Sequence, residues 1–118
     1  MRLNHLDLQV SDVQKTVAFF TTIFGLELQS NPRSPAIAIL GDGEGFVLVL
    51  QRRIPVVYPE GFHLGFLVDD VATVHAIHTR ARAAGLEISD VDTNNRGTMT
   101  YCRAPDGYAV EVACHRPR

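Results

Sequence analysis

Apolar and polar residues alternate from residue 3 to residue 10, with Leu6, Leu8 and Val10 on one side and His5, Asp7 and Gln9 on the other. A period of two belongs to a strand with one buried face. At Val13 the period changes. Val13, Val17, Phe20 and Phe24 recur at helical spacing, Ser11 with Gln14 three residues later offers a capping box, and Gly25 supplies a stop. Short strands are expected over 26–29 and 36–40, either side of the loop Ser30-Asn31-Pro32-Arg33-Ser34-Pro35. A turn at Gly41-Asp42-Gly43 then leads into a strand over 46–52. The order is β-α-β-β-β.

The same order returns. His5-Leu6-Asp7-Leu8-Gln9-Val10-Ser11-Asp12-Val13 aligns with His63-Leu64-Gly65-Phe66-Leu67-Val68-Asp69-Asp70-Val71 at an offset of 58. Gly25-Leu26-Glu27-Leu28 matches Gly85-Leu86-Glu87-Ile88 at 60, and Gly45–Leu50 matches Gly107–Val112 at 62. Three blocks in one order with slowly drifting offsets mark two copies of one unit. The second copy reads as a strand over 63–68, a helix over about 70–84 capped by Asp69 and stopped by Gly85, and strands over 86–89, 99–103 and 108–114. A Pro105-Asp106-Gly107 turn precedes the last strand. The expected fold class is therefore α+β, with two βαβββ modules at about 1–53 and 62–118 joined by a linker over 54–61, all within a single domain spanning 1–118.

Composition narrows the function. Hydrophobic residues make up 46% and charged residues 20%, the balance of a globular chain with a real core rather than a disordered one. Ten Arg and the single Lys15 are scattered along the chain, and the net charge is -2, so the clustered positive footprint of a nucleic-acid binder is absent. Two cysteines, Cys102 and Cys114, do not make a disulfide framework and fit a reducing cytoplasm. No run approaches the length of a membrane span, and the first residues lack the apolar stretch of a signal peptide.

The candidate chemistry lies on the polar faces of the strands. In the last strand, alternation puts Ala109, Glu111 and Ala113, with His115 beyond, on one face and Val110 and Val112 on the other. The two copies imply an approximate two-fold relation, which would turn His5 and His63 toward each other. Two imidazoles and one carboxylate on faces turned away from the helices are the donor set of a facial triad for Fe(II), Mn(II), Ni(II), Co(II) or Zn(II). The first-module partner of Glu111 is Val49, which leaves that place without a donor, although Gln51 lies two residues on along the same face. The plainer reading of His5 is a strand imidazole satisfied by Asp7. His75 and His78 read as solvated helix residues, and the two cysteines as packing.

At these residues the chain resembles the glyoxalase I, bleomycin-resistance and extradiol-dioxygenase superfamily, also called the vicinal oxygen chelate superfamily. The resemblance is carried by Asn4–Asp12, by Phe19–Leu26, by His63–Asp70 and by Pro105–Val112, and it covers essentially the whole chain. It implies mixed sheets curling into an open cup with the helices outside, and a divalent metal bound by His5, His63 and Glu111. Tyr101, ten residues before Glu111, occupies the place of a tyrosine that hydrogen-bonds substrate in the extradiol pattern. Asp7 is a candidate ligand orienter or proton acceptor, and Gln51 and Arg103 are candidate substrate contacts. The implied function is a divalent-metal-dependent enzyme acting on a small oxygen-chelating substrate, with ring cleavage slightly favoured over glyoxalase-like isomerisation because of Val49 and Tyr101. The alternative is a metal-free drug-binding protein of the bleomycin-resistance type. Exposed sheet edges imply a homodimer.

Overall fold

The computed structural model describes residues 1–116. The chain divides into two compact units, Met1–Val57 and Tyr58–Arg118.

Unit 1 holds β1 (His5–Val10), α1 (Val13–Phe24), β2 (Glu27–Leu28), β3 (Ile37–Gly41) and β4 (Val47–Arg52). They form one mixed sheet in the order β1-β4-β3-β2, in which β1 and β4 run parallel and the other pairs antiparallel. Helix α1 packs on this sheet through Val13, Thr16, Phe19, Phe20 and Ile23. The sheet meets it with Leu8, Val10, Ala38, Leu40, Leu48 and Leu50, all buried. Completely buried side chains such as Phe20 and Ile23 each contribute about 1.5–3 kcal/mol by leaving water. Alternation leaves His5, Asp7 and Gln9 of β1 on the helix-free face beside Val47, Val49 and Gln51 of β4.

Unit 2 repeats the plan with β5 (His63–Leu67), α2 (Val71–Ala83), β6 (Asp92–Asn94), β7 (Gly97–Arg103) and β8 (Ala109–His115). Its sheet order is β5-β8-β7-β6, with β5 parallel to β8. Val74, Ile77 and Ala81 of α2 are buried on the side where Thr100, Cys102, Val110 and Val112 line the sheet. Thr100 is buried without penalty because its hydroxyl donates to the Ser89 carbonyl at 2.7 Å. Among the described residues no helix is long and apolar enough to cross a membrane.

The α+β plan matches expectation, and three local readings change. The first helix is capped by Asp12 rather than Ser11: the Asp12 carboxylate accepts from the Lys15 amide at 3.0 Å, three residues on, as an N-cap does. The second is capped by Asp70 rather than Asp69, which accepts from both the amide and hydroxyl of Thr73. The strand expected over 86–89 shrinks to one bridge, Ile88 to Cys102, and pairing resumes at Asp92–Asn94. A tight turn joins β6 to β7. The Asn94 side-chain oxygen accepts from the Arg96 amide at 2.8 Å, and Gly97 takes a φ of 142° where any Cβ would fall onto the Cys114 carbonyl. Strand β7 starts at residue 97 instead of 99.

Candidate metal centre

Unit 2 brings three functional side chains together on neighbouring strands. Gly65, Glu111 and Tyr101 stand on one rung across β5, β8 and β7, and His63 lies two residues before Gly65 on the same face. Nε2 of His63 is 3.6 Å from Oε1 of Glu111. That is too long for a hydrogen bond. It is close to the separation of two donors sharing an ion, which at about 2.1 Å bonds lie about 3.0 Å apart at right angles and about 3.4 Å apart at tetrahedral angles.

The surroundings prepare both groups. Nδ1 of His63 is 3.1 Å from the Gly61 carbonyl, which only accepts, so the proton sits on Nδ1 and the Nε2 lone pair is free on the Glu111 side. Gly65 leaves room for Glu111, since a Cβ there would stand 3.1 Å from the Glu111 Cβ and 3.2 Å from its carbonyl oxygen. Tyr101 sits edge-on to the His63 ring, with centroids 6.1 Å apart. Burial pushes the Tyr101 phenol above its ordinary pKa, and the charge of Glu111 and a hydrogen bond with it push the same way. The phenol is thus held as a donor at neutral pH.

Unit 1 presents His5 at the matching place, the first residue of its parallel strand. The register is the same in both ladders: His5 pairs with Val47 as His63 pairs with Ala109, and Asp7 pairs with Val49 as Gly65 pairs with Glu111. Val49 therefore does occupy the Glu111 position, and it is apolar and buried. The hydrogen bond of Asp7 goes to Gln51 and not to His5: Gln51 Nε2 donates to Asp7 Oδ2 at 2.7 Å, diagonally across the ladder. Arg103 shares the face of Tyr101, but its Nε lies 3.4 Å from Glu87 Oε2 and its Nη1 donates to the Gly107 carbonyl, so the guanidinium braces the β7–β8 turn.

Among the described residues, three His, Cys, Asp or Glu side chains converge in neither unit. Unit 2 supplies a pair, His63 and Glu111. His75 is exposed as expected, whereas Nε2 of His78 is enclosed without a hydrogen-bond partner among the described residues, so that ring is not simply solvated. Cys102 and Cys114 are free thiols, and burial raises Cys102 to about 11, which makes it inert packing. Sequence reasoning passed over Gly61 and Gly65. A glycine inside a strand is a known sign of close approach, and that signal was available for Gly65.

Comparison with known proteins bears on this geometry. The family model described as Glyoxalase/Bleomycin resistance protein/Dioxygenase superfamily matches residues 2–112. The chain is 30% identical to "Glutathione transferase FosA" of Serratia marcescens, covering 93% of this chain and 78% of that protein. It is 27% identical to a "Probable lactoylglutathione lyase" of Vibrio cholerae serotype O1, covering 94% and 88%. A solved structure titled as a possible glyoxalase from Bacillus cereus superposes with a TM-score of 0.86 at 32% identity, covering 97% of this chain and 99% of that one.

Proposed function

Because the chain belongs to the glyoxalase/bleomycin resistance/dioxygenase superfamily, we propose that it is a metal-dependent enzyme acting on a small molecule that presents two neighbouring oxygens. The single observation that carries the reading is the His63–Glu111 pair, 3.6 Å apart with the imidazole lone pair freed by Gly61. The donor pair fits a divalent ion, His63 offering an imidazole nitrogen and Glu111 a carboxylate oxygen, and unit 1 carries the like-placed imidazole His5 at the start of its own parallel strand. When bound, such an ion supplies a Lewis acid that polarises substrate oxygens.

The chain's own residues do the rest. Gly61 fixes the His63 tautomer, Gly65 gives Glu111 its room, and Tyr101 offers a protonated hydroxyl beside Glu111. Gln51 donates to Asp7 and so orients that carboxylate beside the place where substrate would sit. The relatives named as a lyase and a glutathione transferase support non-oxidative chemistry, isomerisation or thiol addition, ahead of ring cleavage. Ring cleavage of a catechol-like diol stands as the second reading, favoured by the register of Tyr101 opposite Glu111. The free thiols support a cytoplasmic setting.

The test is metal uptake by tag-free protein offered Fe(II), Mn(II), Ni(II) and Zn(II). Stoichiometric binding that is lost in His63→Ala and Glu111→Ala supports the proposal. Less than about a tenth of an ion per chain with every metal ends it and leaves a metal-free binding protein. Hemithioacetal and thiol-addition assays, set against oxygen and catechols after anaerobic Fe(II) loading, then choose the reaction.

A further inference from the structure

We infer that Tyr58, Phe62 and Tyr108 form an aromatic clasp that holds the Gly61 carbonyl against His63, which makes them positioning residues for the metal centre; this rests on the metal-centre reading above. Gly61 lies outside the ladder, whose pairing with β8 begins at His63 opposite Ala109. Its place comes from a turn. The Phe62 amide donates to the Pro59 carbonyl at 3.1 Å, and Gly61 takes the third place of that turn at a φ of 85°, a left-handed conformation that glycine adopts freely. The residues on either side close the turn, because the rings of Tyr58 and Phe62 stack with centroids 5.0 Å apart.

Tyr108 ties this turn to the sheet. It is the residue just before β8, only 2% exposed, and its ring stands against Tyr58 at 4.8 Å and meets Phe62 edge-on at 6.0 Å. Its carbonyl accepts from the Ala104 amide at 2.8 Å, which closes the β7–β8 turn. Glu111 follows three residues on, in β8. One cluster therefore locates both halves of the pair, the carbonyl beside His63 and the strand of Glu111. The consequence is chemical. Gly61 and His63 are both exposed, so water competes for Nδ1. The proton stays on that nitrogen, with Nε2 free to coordinate, while the Gly61 carbonyl is held within its 3.1 Å.

The His63 tautomer is read in metal-free protein by long-range proton–nitrogen NMR at a pH well above about 6.5, where an ordinary imidazole is neutral. The His63 signals are assigned by their absence from His63→Ala. The wild type should carry its proton mainly on Nδ1. Tyr58→Leu and Phe62→Leu should each lower the ratio of Nδ1–H to Nε2–H by about 2- to 10-fold, the range that one aromatic pair is worth. Tyr58→Phe and Tyr108→Phe keep the rings and should keep the ratio. Ile23→Val, a core truncation on α1 of unit 1, lowers stability outside the clasp and should also leave the ratio alone. A ratio unchanged in either folded leucine variant overturns the inference. So does a shift as large in Ile23→Val or in the phenylalanine variants, or a wild-type ring with its proton mainly on Nε2. If one leucine variant fails to fold by circular dichroism, the other decides. A wild-type protein that takes up none of the four ions fails the metal reading, a separate result, and the tautomer ratio still decides the clasp.

Discussion

Gly65 and Glu111 face each other across β5 and β8 at a distance that leaves little room for a side chain on the glycine: a Cβ there would meet the Glu111 Cβ at 3.1 Å. The contact has little to do with backbone freedom, because Gly65 does not adopt a left-handed conformation. It sets where Glu111 lies. Gly65→Ala should therefore push the carboxylate aside by a few tenths of an ångström, weakening metal binding about tenfold. Folding stability should change by less than about 1 kcal/mol, since the gain from a stiffer unfolded chain offsets the crowding. Calorimetric metal titration beside thermal unfolding separates the two effects, and an unaltered affinity would show that the rung has slack.

Tyr101 is the next group whose state can be read directly. Burial and Glu111 hold its phenol protonated above the ordinary value near 10. A folded-state pKa raised in this way contributes stability that is complete below the unfolded value and is lost as pH rises through the folded one. Tyr101→Phe should remove one late step from the ultraviolet tyrosinate titration and flatten the alkaline loss of stability. It should also weaken metal binding a few-fold, because Glu111 loses a donor that orients it. Loss of a step near pH 10 instead would place the hydroxyl in open solvent.

The repeat was legible because it rests on side chains the backbone plan needs twice. His5 and His63 each open a parallel strand, and alternation from them yields the Glu111 face and the Tyr101–Glu111 register without coordinates. The caps were misread by one residue, yet Asp12 and Asp70 obey the same offset of 58 as the strands. What stayed hidden depends on approach between atoms far apart in sequence. Asp92–Asn94 carries residues that strands disfavour, and it pairs through the Gly97 turn and a Thr93–Thr98 hydroxyl contact at 3.0 Å. The Gly61 carbonyl under His63 and the diagonal reach of Gln51 to Asp7 leave no periodic trace.

The two caps make a paired test. Asp12→Ala removes the acceptor for the Lys15 amide and should cost about 1 kcal/mol, with Ser11 unable to replace it because its hydroxyl lies one residue too early. Asp70 accepts from the Thr73 hydroxyl and amide, which lower its carboxyl below the usual range. A depressed folded pKa contributes stability that is present above the unfolded value, near 3.9, and is lost as pH falls through the folded one. Asp70→Asn should thus destabilise at neutral pH and show a shallower acid limb in chemical unfolding than wild type.

Tyr108 carries the opposite kind of cost. Its ring packs tilted against Tyr58 and edge-on to Phe62, centroids 4.8 and 6.0 Å away, while its hydroxyl is buried with no hydrogen-bond partner among the described residues. Burial is the main reason its phenol is raised far above the ordinary value, with the charges of Tyr58 and Asp106 adding to it. An unsatisfied hydroxyl in such a place costs on the order of 1–3 kcal/mol, so a residue that keeps the ring and drops the oxygen should help. Tyr108→Phe is expected to stabilise the protein by about 1 kcal/mol at neutral pH. The gain should grow above pH 10, because the wild-type phenol loses stability as the unfolded chain begins to ionise and the variant has nothing to ionise. Denaturant unfolding at neutral and alkaline pH measures both. Destabilisation at neutral pH would mean that the hydroxyl finds a partner in solution, such as an ordered water.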